Sequence, residues 1–544
     1  MPTQSDRSWW ADAIGYEVYL RSYNDANGDG VGDFAGLTER LDHIAELGVD
    51  LVWVTPFYPS PMVDFGYDVA SFVEVDPLFG TMSDVDRFLA RAHELGLKVI
   101  IDMVPNHTSD QHEWFVESSG SVDNPKRDWY LWADPAPDGG PPNNWVTHFG
   151  GPAWTLDASS GQYFCHSFLP EQPDLNWRHP DVQAAFEEIL TFWLDRGVDG
   201  FRIDVTQGLV KDADLRSNPE LRPLAEGMSR FEQWDSFEHR HDIMQLETLD
   251  VFRSWRRLAD SRDALLVGET YVLDAAALRH FLEPNDGIHI GFWFEPMHTE
   301  WDAAALRDVL ADPHREAGAN VGWVMSSHDD PRAPGRFGGG REGAERARGL
   351  FTMLSMMPGL PFLYMGDELG LSDGHVEPDR FVDPVVFRTG VQSDNRDGCR
   401  TPMPWEPGSP MFGFTALDDG WLPHGGRTDA DTVAAQKVDP DAPLMHMQRL
   451  LHTRRVWLSG DLAGADTVTF GPAASDEPAV IWFDRGPFRC ALNTGDTPAE
   501  LDAGVGSTVE YRSLADLTEN ELAAHTTEPG VLPMRPREAV IVRR

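Results

Sequence analysis

His93-Glu94-Leu95-Gly96-Leu97-Lys98-Val99-Ile100-Ile101-Asp102-Met103-Val104 holds a helix end, a glycine stop and an apolar strand in one short run. Just upstream, Ser83 is placed to cap a helix whose apolar face is Val85, Phe88, Leu89, Ala92 and Leu95, and Gly96 supplies a left-handed stop before Val99-Ile100-Ile101. The same unit recurs at Ile44 to Val54 and at Leu194 to Val205. Strands that are apolar on both faces are parallel strands covered by helices, which makes the fold α/β.

The stop glycines Gly48, Gly96 and Gly197 lie 48 and then 101 residues apart, so about one further unit's length is inserted after the strand ending near Val104. The insertion is rich in Trp, Pro, Gly and Asp (Trp129 to Trp132, Pro135 to Trp145), as a small irregular domain would be. Further strand-like runs are Glu17 to Leu20, Leu265 to Glu269, Ile288 to Phe294, Trp323 to Ser326 and Pro361 to Tyr364, making eight with the three above. Eight such strands with interleaved helices predict a (β/α)8 TIM barrel, although a doubly wound open sheet has the same period. After about Leu450 the texture changes to short alternating runs, Ala479 to Phe483, Arg489 to Leu492 and Ala539 to Val542. These predict a C-terminal antiparallel β-sandwich domain. The expected division is a barrel over 1–105 and 179–450, an inserted B domain over 106–178 after the third strand, and a C-terminal domain over 451–544.

With 44 basic against 89 acidic residues the net charge is −45. That disfavours nucleic acid and anionic membranes as partners and favours neutral or cationic ligands. Cys165, Cys399 and Cys490 are an odd, scattered set without zinc-ligand or CxxC spacing, which suits a reducing compartment. The start, Met1 to Arg7, lacks a basic stretch leading into an apolar run, and no segment approaches about 18 uninterrupted apolar residues. A soluble, cytoplasmic protein is expected.

In a barrel, catalytic groups sit where strands give way to loops. The residues at those places are Asp102 with Asn106-His107, Arg202 and Asp204 within Gly200-Phe201-Arg202-Ile203-Asp204-Val205, Glu269 after Gly268, and His328-Asp329. One carboxylate at a strand end is ordinarily a helix cap or ion-pair partner; four strand ends converging on one pocket point to acid–base chemistry.

Together with Gln172-Pro173-Asp174-Leu175-Asn176 and Arg396-Asp397-Gly398-Cys399-Arg400-Thr401-Pro402-Met403-Pro404-Trp405, these segments closely resemble glycoside hydrolase family 13, the α-amylase family, and its oligo-1,6-glucosidase and α-glucosidase branch. The resemblance covers nearly the whole chain. It implies a catalytic barrel with B and C domains and retaining cleavage, in which two carboxyls about 5 Å apart flank the anomeric carbon. It makes Asp204 the nucleophile, Glu269 the acid/base and Asp329 the carboxylate that binds ring hydroxyls and favours the transition state. Arg202 would keep Asp204 ionised, and His107 and His328 would donate to glucosyl hydroxyls. Asp64-Phe65-Gly66-Tyr67-Asp68 resembles the family's DxGYD loop, so Asp64 and Tyr67 would close the pocket, and Asp64 with Arg396 would wall off longer chains. Phe149, Phe168 and Gln172 are candidates for its rim. The implied activity is exo-hydrolysis of α-glucosidic bonds in short oligosaccharides or α-glucosides, with transglucosylation and no organic cofactor.

Asp25-Ala26-Asn27-Gly28-Asp29-Gly30-Val31-Gly32-Asp33 places oxygen ligands on alternate residues with glycines for the turns, as a calcium loop requires and as an ordinary Asp/Gly turn also shows. The resembled branch carries a calcium or magnesium loop here, which implies a structural Ca2+, with Mg2+ the alternative, on Asp25, Asn27, Asp29, Val31 and Asp33.

The chain departs from the family pattern at Ser327, where Asn is usual, and at Asp330, where an uncharged residue or Glu is common. An extra carboxylate there would repel anionic acceptors. Val205 resembles the α-1,6-hydrolysing branch while Arg396 to Trp405 resembles α-1,4-acting enzymes, so the linkage cues conflict; one apolar side chain shifts such discrimination by only about 1–3 kcal/mol. Three other readings compete. A glucosyl transferase or isomerase, such as a trehalose or isomaltulose synthase, differs only in the acceptor, and no RLDRD-like loop follows Arg332. A non-catalytic binding relative would lack the triad and carry a membrane span. A phosphosugar hydrolase would need a basic pocket.

Overall fold

The structure, a computed structural model, describes residues 8–271, 274–282, 286–471, 479–514 and 530–544. The stretch Met1 to Arg7, read above for a leader, lies outside them. Eight parallel strands close into a barrel: β1 (Gly15–Val18), β2 (Leu51–Val54), β3 (Lys98–Met103), β4 (Gly200–Ile203), β5 (Leu265–Gly268), β6 (Ile290–Trp293), β7 (Val321–Trp323) and β8 (Leu360–Tyr364), with β8 paired to β1. Closure excludes the open doubly wound sheet. β1 and β7 end earlier than their apolar runs suggested; past Val18 the chain turns into the short 3-10 helix Leu20–Ser22, and the β7 ladder stops at Trp323.

All three stop glycines are left-handed, with φ of 98° at Gly48, 78° at Gly96 and 105° at Gly197. The helix before β3 spans Met82–Glu94, and its cap is Thr81 rather than Ser83. Thr81 has the extended backbone a cap needs, and Asp84 Oδ2 accepts its backbone N–H at 2.8 Å to complete a capping box; Ser83 already lies inside the first turn.

Side chains alternate between two cores, as strand pleating requires. Leu51, Trp53, Ile100, Leu265, Val267, Ile290, Phe292, Leu360 and Phe362 fill the barrel interior. Val52, Val54, Val99, Ile101, Phe201 and Ile203 face the helices. Two residues beyond the inward Ile100, Asp102 lies opposite Arg202 in the β3–β4 register, so both belong to the inner face near the barrel's C-terminal rim.

Between β3 and β4, Trp132–Ala133, Tyr163–Cys165 and Trp154–Leu156 form a three-stranded antiparallel sheet in that order, beside a helix at Glu113–Gly120. Buried Asp174 ties this insertion to the barrel, accepting from Asn106 Nδ2 at 2.8 Å and pairing with Lys211 Nζ at 3.0 Å. At the C-terminal end, a five-stranded antiparallel sheet runs 468–470, 480–485, 488–493, 539–543 and 508–512 in spatial order, and 499–502 pairs with 531–534. The barrel's last helix, Pro443–Leu458, runs through the boundary expected at 450/451, because Leu450, Leu451 and Trp457 are buried in the main core.

Candidate active site

Asp204 and Glu269 each extend the barrel ladder by one residue past the strand end: Asp204 N–H donates to Met103 O at 2.9 Å and Glu269 N–H to Ile203 O at 2.8 Å. Their carboxyls therefore stand on the rim, on rigid backbone. Between them lies Arg202, 2% exposed and stacked 5.0 Å over Trp53. Its Nη1 reaches Asp102 Oδ1 and Asp204 Oδ1, each at 2.7 Å, and its Nη2 reaches Glu269 Oε2 at 3.1 Å. One guanidinium thus serves three carboxylates. Val205 follows in a left-handed conformation, φ 48° and ψ 45°, which a β-branched residue rarely adopts. That turn presents the Val205 N–H to Glu269 Oε2 at 2.8 Å. Backbone strain of this kind costs about 1–3 kcal/mol and concentrates at functional sites.

Burial and the adjacent Glu269 carboxyl, which shares a hydrogen bond with it, raise Asp204 well above the usual carboxylate range; Arg202 pulls the other way. Arg202 acts on Asp204 in the direction expected of it, against burial and Glu269. Asp329 has the opposite environment. Against the upward push of burial, His328, Arg396 and Arg400 hold it well below the ordinary range. Arg396 Nη1 and Arg400 Nη2 bond Asp329 Oδ1 at 2.9 and 2.6 Å, and His328 Nε2 lies 3.3 Å from Oδ2.

The remaining wall is a continuous polar network. His328 Nδ1 meets Glu17 Oε1 at 2.5 Å and its Nε2 meets the Tyr67 hydroxyl at 2.7 Å, the rings stacking within 4° of parallel. Burial lowers His328, but Asp329 and Glu17 more than reverse that, so its pKa is raised. Tyr67 also donates to Asp102 Oδ2 at 3.2 Å. Asp64 accepts from Gln172 Nε2 at 3.1 Å and pairs with Arg396 Nη2 at 3.2 Å; burial raises it to about 6 against Arg396. Burial lowers His107 to about 4, so its imidazole is neutral, with Nε2 3.2 Å from the Tyr67 carbonyl. Phe168 lies 5.2 Å from the His107 ring, and Phe149 sits 4.8 Å under Arg396.

Asp64, Tyr67, His107, Phe149, Phe168, Gln172, Arg202, Asp204, Glu269, His328, Asp329 and Arg396 all line this one pocket. Several of its determinants carried no assigned role in the sequence. Asp383, fully buried, takes Arg396 Nη2 at 2.8 Å and Nε at 3.0 Å, yet Asp-Pro before a helix reads only as a cap. Arg400 and Glu17 are found only through their contacts. Arg230, Phe231 and Trp234 enter the pocket from a short helix, Arg230–Trp234, in the long β4 loop, which bears no motif.

The 25–33 loop lies outside the pocket. Asp25 accepts from Gly28 N–H at 2.7 Å and Gly30 N–H at 2.8 Å, Asn27 from Asp29 N–H at 2.9 Å, and Asp29 from Val31 N–H at 2.9 Å. Asp33 caps the helix Phe34–Leu47 through Gly36 N–H at 2.7 Å. Among the described residues, no three His, Cys, Asp or Glu side chains gather as a metal cage. A cation here would need Asn27, the Val31 carbonyl and water as well as aspartates.

A carboxylate-lined pocket on the C-terminal rim of a (β/α)8 barrel, with a continuous polar network around it, is the arrangement of a barrel enzyme that works by carboxyl chemistry. Residues 17–459 match the model of the α-amylase catalytic domain. The chain belongs to the α-amylase family, and it is a glycoside hydrolase. It is 41% identical over 463 residues to a probable α-glucosidase of Rhizobium meliloti (strain 1021), covering 83% of each chain. To an oligo-1,6-glucosidase of Heyndrickxia coagulans it is 35% identical over 483 residues, covering 82% of this chain and 85% of the relative. Among solved structures, the α-glucosyl transfer enzyme XgtA superposes with a TM-score of 0.90 at 37% identity, over 99% of this chain and all of that one.

Proposed function

We propose that the protein is a retaining, chain-end α-glucosidase that releases the non-reducing-end glucosyl unit of short oligosaccharides or α-glucosides and passes part of it to alcohols. The observation that carries this is the Asp204–Glu269 pair drawn to one guanidinium, with Arg202 Nη1 2.7 Å from Asp204 Oδ1 and Nη2 3.1 Å from Glu269 Oε2. Two carboxyls sharing one guanidinium support the close spacing of retention over the about 6.5–9.5 Å that leaves room for an inverting water. Asp204 attacks the anomeric carbon while Glu269 gives its proton to the leaving oxygen; Glu269 then takes a proton from water as that water displaces Asp204. Asp329, held ionised, favours the positive charge that develops on the ring. The joined Asp64, Arg396 and Asp383 side chains form the wall that limits the site to a chain end. The resemblance to XgtA supports transfer as a second outcome of the same glucosyl-enzyme.

A panel of maltose, isomaltose, panose, sucrose, trehalose and nigerose with time-resolved products tests this reading. Net glucose is expected from maltose and isomaltose, with transfer products at high substrate. An isomer formed without net glucose would make it an isomerase. Asp204→Asn lowers turnover of 4-nitrophenyl α-glucoside by at least about 10³-fold; equal inertness of variant and wild type would point to a non-catalytic relative.

We also infer that the 25–33 loop binds Ca2+, or Mg2+, in a structural role. Each ionised carboxylate offers about four acceptor positions, and the amides of Gly28 and Gly30 take only two on Asp25. EDTA is expected to lower Tm and excess Ca2+ to restore it, by the linkage of binding to folding. An unchanged Tm with no bound metal by atomic emission would refute this. Cys165, Cys399 and Cys490, all buried as free thiols, support a reducing compartment.

A further inference from the structure

On the donor side of the pocket, the polar groups bond one another: Asp64 with Gln172 and Arg396, Asp329 with Arg396 and Arg400, His328 with Glu17 and Tyr67. Asp330 is different. It is 8% exposed and lines the pocket, yet among the described residues no hydrogen bond or ion pair reaches its carboxylate. Its oxygens are not among the buried polar atoms that lack a partner, so they open onto the pocket, where a bound hydroxyl can take the place of water.

Its neighbours say where that hydroxyl sits. Asp330 is the strongest charged neighbour of Tyr271, two residues beyond Glu269, so it lies on the acid/base side, where the leaving oxygen departs. Tyr271 stacks on Phe294 at 5.2 Å, and its hydroxyl is tied to His298 Nε2 at 3.0 Å. The basic groups that face Asp330 are His298, Arg230 and Arg336, with Asp329 the facing carboxylate. Arg336 is committed to the Pro331 and Met325 carbonyls at 3.0 and 2.6 Å.

Resting on the α-glucosidase reading, we propose that Asp330 accepts a hydrogen bond from a hydroxyl of the leaving group, and of an incoming acceptor, so that the site selects polyhydroxylated partners over hydroxyl-free ones. A partner without that hydroxyl leaves the carboxylate unpaired in the closed complex, and sites built to bond a hydroxyl discriminate strongly against analogues lacking it.

The test compares, within each preparation, kcat/KM on maltose and isomaltose with kcat/KM on 4-nitrophenyl α-glucoside, whose leaving group has no free hydroxyl. A partly unfolded sample scales both rates and leaves their ratio intact. In Asp330→Ala the ratio is expected to fall by about tenfold or more for at least one disaccharide, and in Asp330→Asn, which keeps an acceptor oxygen, by less. Ratios unchanged in both variants for both disaccharides would overturn the assignment. A wild-type enzyme inert on all three substrates would instead overturn the α-glucosidase reading beneath it.

Discussion

Arg396 divides its guanidinium among Asp64, Asp329 and Asp383 at 3.2, 2.9 and 2.8 Å, so the position of Asp329 depends through Arg396 on Asp383, which does not line the pocket. Asp383 is held to about 2, because the Arg396 and Arg400 guanidiniums outweigh burial, which pushes it up. A folded pKa below the unfolded value of about 3.9 means that this pairing stabilises the protein fully above about pH 4 and loses its effect as pH falls through about 2. At pH 7, Asp383→Asn removes one charge from a buried pair, a change that costs about 3–5 kcal/mol where the partner is left uncompensated; Asp64 and Asp329 compensate part of it here. The expected outcome is a lower Tm together with kcat/KM on 4-nitrophenyl α-glucoside reduced about tenfold or more. Activity within twofold of wild type would show that Asp64 and Asp329 suffice to hold Arg396.

At the level of elements, the repeated helix, glycine and strand was legible because each signal is local: a left-handed stop favours a residue without a Cβ, and buried parallel strands are apolar on both faces. The stops differ in their surroundings. A Cβ on Gly48 would meet His452 Cδ2 at 2.6 Å, whereas on Gly197 the nearest atom is His93 Cε1 at 3.9 Å. Both Ala substitutions carry the left-handed penalty of about 1–2 kcal/mol. Gly48→Ala adds a clash with the barrel's last helix and should lower Tm more than Gly197→Ala; equal shifts would show that His452 moves aside freely. Strand ends were less legible than strands, since the apolar runs of β1 and β7 continue past the last ladder bond into buried loop.

Across the whole molecule, a net charge of −45 opposes compaction through self-repulsion that salt screens. Raising NaCl from about 0.1 M to about 1 M shortens the Debye length from about 10 Å to about 3 Å. Tm is expected to rise across that range in thermal scans; a fall would mean that the surface ion pairs contribute more than the repulsion costs. The buried Arg202 and Arg396 pairs are screened far less, so salt should alter stability more than kcat.

By itself, the sequence determined the strand and helix alternation, the insertion after β3, and the carboxylates at strand ends, all of which follow from local periodicity and from side-chain types in short runs. Tertiary structure alone decided that the sheet closes, that one guanidinium, Arg202, reaches Asp102, Asp204 and Glu269 together, that Asp383 and Arg400 set Asp329, and that Asp330 lines the same pocket. Those outcomes depend on burial and on contacts between residues far apart in the chain, and neither is encoded in any one segment.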